Sequence, residues 1–200
     1  MDEQCTVATG TPMLKLPPPG QAHEKLHFMP INHSSSFADL TDAQYAALGK
    51  IVVEWSNIEH LLGTLLSRLL RTPEYLGRTY ADGMSAVRLQ SAIAEAVKVH
   101  RYRYRAKRVP EAELKKIQAI NDRVTSLRAH RNKISHFCWT RTNDDEIFGA
   151  SLAGGVPDEK WQKKEYRTLS LADLQRLHKD AFDLTEELAQ VVKGLPAIEE

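Results

Sequence analysis

Arg131-Asn132-Lys133-Ile134-Ser135-His136 places a guanidinium and an imidazole within six residues. The guanidinium stays charged and offers paired N–H donors to anionic oxygens. The imidazole, with an ordinary pKa of about 6.5, exchanges a proton near neutrality. Together they provide a base and an oxyanion stabiliser. Asn132 lies four residues ahead of His136 and shares its helix face, where its amide can orient the ring. Arg131 does not share that face, because five residues of helix are about 500° of rotation and leave it roughly 140° from His136. Convergence requires either a helix that loosens at its end or a second copy of the motif across a two-fold axis.

The motif closes a strongly periodic segment. Ile117, Ile120, Val124 and Leu127 recur at spacings of three and four, and the same rhythm lands on Arg131 and then Ile134. Arg131 therefore occupies a core-facing slot, where a charge needs a partner or a task. This helix is predicted to start at Pro110, with Glu111 and Glu113 complementing its dipole.

Three other helices are predicted around it. Thr41-Asp42-Ala43-Gln44 reads as a capping box opening a helix to about Leu70, with Leu48, Val52, Trp55, Glu59, Leu62, Leu66 and Leu69 as its stripe. Thr72-Pro73 stops it, and the next helix begins near Ser85 with Leu89, Ile93, Val97 and His100 on one face. The last opens at Ser170-Leu171-Ala172-Asp173 and carries Leu174, Leu177, Ala181, Leu184, Leu188 and Val191. Between the third and last helices, 136–142 and 146–151 flank Asn143-Asp144-Asp145 as a hairpin, with Tyr166 to Leu169 as a further candidate strand. Residues 1–36, rich in Pro and Gly with a Ser34-Ser35-Ser36 run, read as a disordered tail before a helical domain over 37–200. The fold class is all-α: an antiparallel bundle of four to five helices with a small hairpin before the last.

Two hundred residues, 42% hydrophobic, with a net charge of +1 suit one soluble domain with a sizeable core. Cys5 and Cys138 lack metal-ligand spacing, no carboxylate or His/Cys cluster has a recognised metal spacing, and no signal peptide or membrane-length apolar run occurs. The expectation is a cytoplasmic protein, off the membrane, with neither metal nor cofactor.

A helical bundle whose penultimate long helix ends in Arg-Asn-x-x-x-His resembles the HEPN superfamily, the higher eukaryotes and prokaryotes nucleotide-binding domain. The resemblance spans about residues 40 to 195 and includes the Trp55 to Glu59 segment. It implies a homodimer with a composite active site that cleaves single-stranded RNA without metal, as in toxins, antiviral effectors and RNA-processing enzymes. By the matching positions Arg131 and His136 would be catalytic and Asn132 would accompany them. His136 would take the proton of a ribose 2′-hydroxyl while Arg131 stabilises the phosphorane oxygens. An antitoxin or other regulatory protein is a further implied partner. In relatives paired with a nucleotidyltransferase a tyrosine two positions after the histidine is modified. Here that position is Cys138, so such regulation is not expected.

Two further features bear on RNA. Glu59 interrupts the stripe of the first helix as Arg131 interrupts the third, so a Glu59–Arg131 pair would fix the arginine if those helices packed side by side. An exposed Glu at the edge of a broad apolar face is the equal alternative. Lys98, Arg101, Arg103, Arg105, Lys107 and Arg108 interleave with Tyr102 and Tyr104, so that cations can neutralise phosphates while tyrosines stack on bases. Lys133, within the motif, joins this candidate RNA surface. For an arbitrary bundle the motif would be a helix C-terminus whose cations face the dipole, and the alternative functions are an inactive HEPN-like module binding RNA, nucleotide or protein, and a structural dimerisation bundle. His60 and His130 read as exposed helix residues, and Trp55, Trp139 and Trp161 as packing residues.

Overall fold

In a computed structural model the described residues are 38–103, 108–151 and 166–196. The predicted 1–36 tail and Trp161 lie outside them. The described part is mostly helical, with five helices and a small antiparallel sheet: α1 (Asp42–Leu70), α2 (Glu74–Ala81), α3 (Ala86–Tyr102), α4 (Glu111–His136), β1 (Phe137–Asn143), β2 (Glu146–Ser151), β3 (Tyr166–Ser170) and α5 (Leu171–Gly194). No described helix is long and apolar enough to cross a membrane.

The expected capping box of α1 forms, and a second one opens α5. Thr41 accepts from the Gln44 N–H while the Gln44 side chain accepts from the Thr41 N–H, and Ser170 and Asp173 do the same for α5. Gln44, fully buried, also donates to the carbonyls of Asn143 and Asp144 at 2.9 and 3.1 Å, and the Leu171 N–H donates to Asp145. The N-termini of α1 and α5 thus meet one turn, whose carbonyls accept from both.

Contacts fix the directions. Thr185 lies against Glu54, Arg123 pairs with Glu187, and Arg101 pairs with Glu111. Helices α1, α3 and α5 therefore run one way and α4 the other, with the short α2 also reversed against α1, so α1 packs parallel to α3 and α5 where an antiparallel bundle is expected. Helix α1 packs on α5, α2 and α3, and α4 on α5 and α3, leaving α1 and α4 mainly diagonal. The main core joins Ile58, Leu62, Ile93, Ile117, Ile120 and Leu188, all at zero exposure, each contributing about 1.5–3 kcal/mol of burial. A second cluster of Ala47, Ile51, Ile134, Trp139, Ile147 and Leu174 closes the bundle against the sheet.

Two features differ from expectation. The first half of the α1 stripe runs through Ala47, Ile51 and Ile58 in place of Leu48, Val52 and Glu59 and leaves Val52 exposed, while Trp55, Leu62, Leu66 and Leu69 are buried as expected. The chain also reverses after α1 through Arg71, held at φ 55°, to form α2, which the sequence reading omitted. Gly77 permits its close approach, since a Cβ there would lie 2.1 Å from the Ser67 Oγ. As expected, Tyr166 to Leu169 join the hairpin as its third strand, in the order β1-β2-β3, with Ile147 opposite Arg141 and Leu169.

The indole of Trp139 covers Gly149 across the β1–β2 pair, where a Cβ would sit 2.5 Å from the ring. Gly149→Ala should therefore destabilise the fold by about 1–3 kcal/mol in urea unfolding. Asp173 is held below the usual carboxylate range by hydrogen bonds from Ser170, aided by Arg176. A depressed folded pKa gives stability that is present above the unfolded value of about 3.9 and lost as pH falls through the folded one. Asp173→Asn should lie below wild type at neutral pH and converge with it in strong acid, as followed by thermal melts.

Candidate functional site

Helix α4 is continuous through His136. Its end is pinned where the Trp139 indole N–H donates 2.9 Å to the Ile134 carbonyl, satisfying one of the terminal carbonyls a helix leaves open. Ile134 is buried beneath, while Asn132, Ser135 and His136 are exposed. The helix does not loosen before its last residue, so within one chain Arg131 and His136 remain on faces about 140° apart.

Arg131 is half-buried, and its partner is an aromatic ring. Its guanidinium carbon lies 5.5 Å from the Trp55 ring centroid, across the diagonal of the bundle. This answers the cost of its core-facing slot, because a guanidinium is weakly hydrated and stacks on aromatic faces. An amino group makes a long 3.4 Å hydrogen bond to the Asn132 amide oxygen at the surface. The Arg131 Nε and Trp55 Nε1 are buried without an acceptor. The Asn132 side chain thus touches Arg131 as well as sharing a face with His136.

Glu59 sits one turn beyond Trp55, in a shallow depression with His60, Arg78 and Asp82. Among the described residues no ion pair joins it to Arg131. Glu59 faces α2 and the start of α3 in that depression, while α1 and α4 meet across the diagonal at Trp55 and Arg131.

The basic run lies elsewhere. Arg101 pairs with Glu111 at 3.0 Å at the start of α4, about 37 Å from His136 at 1.5 Å per helical residue. Lys98 pairs with Glu95 at 2.7 Å. Arg103, Arg108 and Tyr102 are exposed, Tyr102 at 80%, and Arg108 borders a groove beside the end of α5. Tyr104, Arg105 and Lys107 fall outside the described residues. Lys133 is half-buried beside the motif.

A buried polar link between α3 and α4 escaped the sequence reading. Gln90 donates to the Asn121 carbonyl and the Thr125 hydroxyl at 2.9 and 2.7 Å, Asn121 returns a bond to the Gln90 carbonyl, and Arg128 donates to the Gln90 amide oxygen. The signal was two amides at core-facing helix positions, which must be satisfied when buried. Among the described residues no three His, Cys, Asp or Glu gather as a cation site would need.

No protein-family model matches the chain, and neither a curated protein nor a solved structure is significantly similar to it.

The Arg131–Trp55 contact carries a measurable prediction. A double-mutant cycle of Arg131→Met and Trp55→Leu, followed by urea unfolding, should give a coupling of about 0.5–2 kcal/mol. Additive single effects would remove the stack from the account of Arg131.

Proposed function

We propose that this chain is a subunit of a metal-independent endoribonuclease of HEPN type, acting on single-stranded RNA through a site composed from two copies. The supporting observation is the unbroken end of α4, which holds Arg131 against Trp55 and presents Asn132 and His136 to solvent on another face. In this reading His136 takes the proton from the ribose 2′-hydroxyl, and the oxygen so freed attacks the adjacent phosphorus. The bond from phosphorus to the 5′-oxygen of the next nucleotide breaks as that oxygen takes a proton from the His136 imidazolium, producing a 2′,3′-cyclic phosphate and a 5′-hydroxyl. Arg131 from the partner copy stabilises the charge gathering on the phosphoryl oxygens. Asn132 steadies the guanidinium it already touches. The exposed cations at the far end of α4 extend the track for the same strand and do not touch the scissile nucleotide. A cytoplasmic role as a toxin or defence effector, restrained by a regulatory protein, fits that activity.

A second reading has one observation in its favour: Arg131 is engaged with Trp55 inside its own chain, as an anchor for α4 would be. The chain would then be a non-cleaving dimeric module that binds RNA or protein.

Subunit mixing separates the two. Wild type incubated with single-stranded RNA in chelator should yield cyclic phosphate ends, while Arg131→Ala and His136→Ala should each be inactive. Mixing the two inactive variants should partly restore cleavage, because half of the mixed dimers' sites carry both side chains. Inactive wild-type dimers would establish the binding module, and inactivity of the mixture would exclude a site shared between copies.

A further inference from the structure

The side of α1 turned away from the core carries a step. Along its second half α2 lies against it, with Gly77 on Ser67 and Ala81 on Gly63. Along its first half nothing among the described residues covers Gly49 within 4 Å of a built Cβ, and Tyr45, Val52 and Val53 are 49, 41 and 59% exposed. The outer face of α2 is equally apolar, with Tyr75, Leu76 and Tyr80 at 73, 64 and 69% exposure. Among the described residues six of the eleven exposed large hydrophobics thus lie on one side of the molecule, more than singly scattered residues explain.

Along the strip that continues the line of α2 there is no charge. The two ionic residues of α2 turn back onto α1, where Glu74 pairs with Arg68 at 2.7 Å and Arg78 contacts the His60 ring at 3.2 Å. From Tyr45 to Ser56 the exposed positions of α1 are Tyr45, Ala46, Gly49, Lys50, Val52, Val53 and Ser56, and Lys50 lies about 140° around the helix from Tyr45, off the strip formed by Tyr45, Gly49, Val52, Val53 and Ser56. That strip offers neither a phosphate nor an acidic peptide a countercharge.

We propose that a second copy of this chain docks here, about a two-fold axis perpendicular to α1 at the step, so that each α2 fills the bare half of the partner's α1. The shape is its own complement. Helix α2 stands out by about one helix diameter, roughly 10 Å, and its eight residues span about 12 Å, within the roughly 17 Å of α1 from Tyr45 to Ser56. A two-fold axis sets each patch against its own counterpart, and an uncharged patch tolerates this where a charged one would repel itself. Gly49 and Ser56 leave room for the tyrosines of α2. The face lies across the core from α4, so this contact is independent of the composite site and adds a second dyad to it.

The test is charge exchange, read by sedimentation. Variant one carries Leu76→Glu and Tyr80→Glu, and variant two Val52→Lys and Val53→Lys. All four positions are exposed, so thermal melts should match wild type. Each variant alone should weaken self-association roughly tenfold or more, and mixing the two should restore it by setting Glu-bearing α2 against Lys-bearing α1. A wild type that never self-associates overturns the proposal, as does association unaffected by either variant. The second result would leave a composite ribonuclease site standing, whereas loss of RNA cleavage with the charge-exchange pattern intact would remove the ribonuclease reading alone.

Discussion

One hydrogen bond, from the Trp139 indole to the Ile134 carbonyl, sets the end of α4 and much else with it. It joins the last turn of the helix to the first residues of β1, so the chain passes from helix to strand without a loop. The indole is held in turn by Gly149, which has no side chain to obstruct it, and by the second apolar cluster. Helix, strand and ring therefore form one rigid corner. Arg131 lies one turn inside that corner and His136 on its rim, so their separation is a property of the fold and not of a mobile terminus.

The opposite side of the corner is ordered by polar rather than apolar contacts. Gln44 serves both the capping box of α1 and the turn between β1 and β2, and the same turn accepts from the first residue of α5. An amide this buried must satisfy its donors and acceptor together, which fixes the register between helix and sheet more sharply than side-chain packing would. The Gln90–Asn121 exchange does the same between α3 and α4.

What could be read beforehand was local. Helix boundaries followed from caps, from Pro73 and Pro110, and from three-four spacing, since these act within a few residues. The position of Arg131 on the core side of its helix was legible for the same reason. Its partner was not, because periodicity gives the face of each helix but not which helices sit diagonally, and the choice of Trp55 over Glu59 turns on that. Helix α2 was missed because its apolar residues point outward and its contact with α1 is made by Gly77 and Ala81, whose value lies in what they lack. The third strand was uncertain because its pairing with β2 crosses an intervening segment that carries no register signal. The basic run stands a whole length of α4 from the motif, because Arg101 pairs with Glu111 at the start of that helix.

The shared direction of α1 and α5 has a consequence for how the chain folds. The apolar stripe of α1 finds its principal cover on a helix that begins at Leu171, more than a hundred residues later. Contacts of such separation are entropically slow to close. During synthesis Trp55 and its neighbours must wait, uncovered, until nearly the whole domain has left the ribosome, so any chain stopped before α5 exposes the very stripe on which aggregation would start.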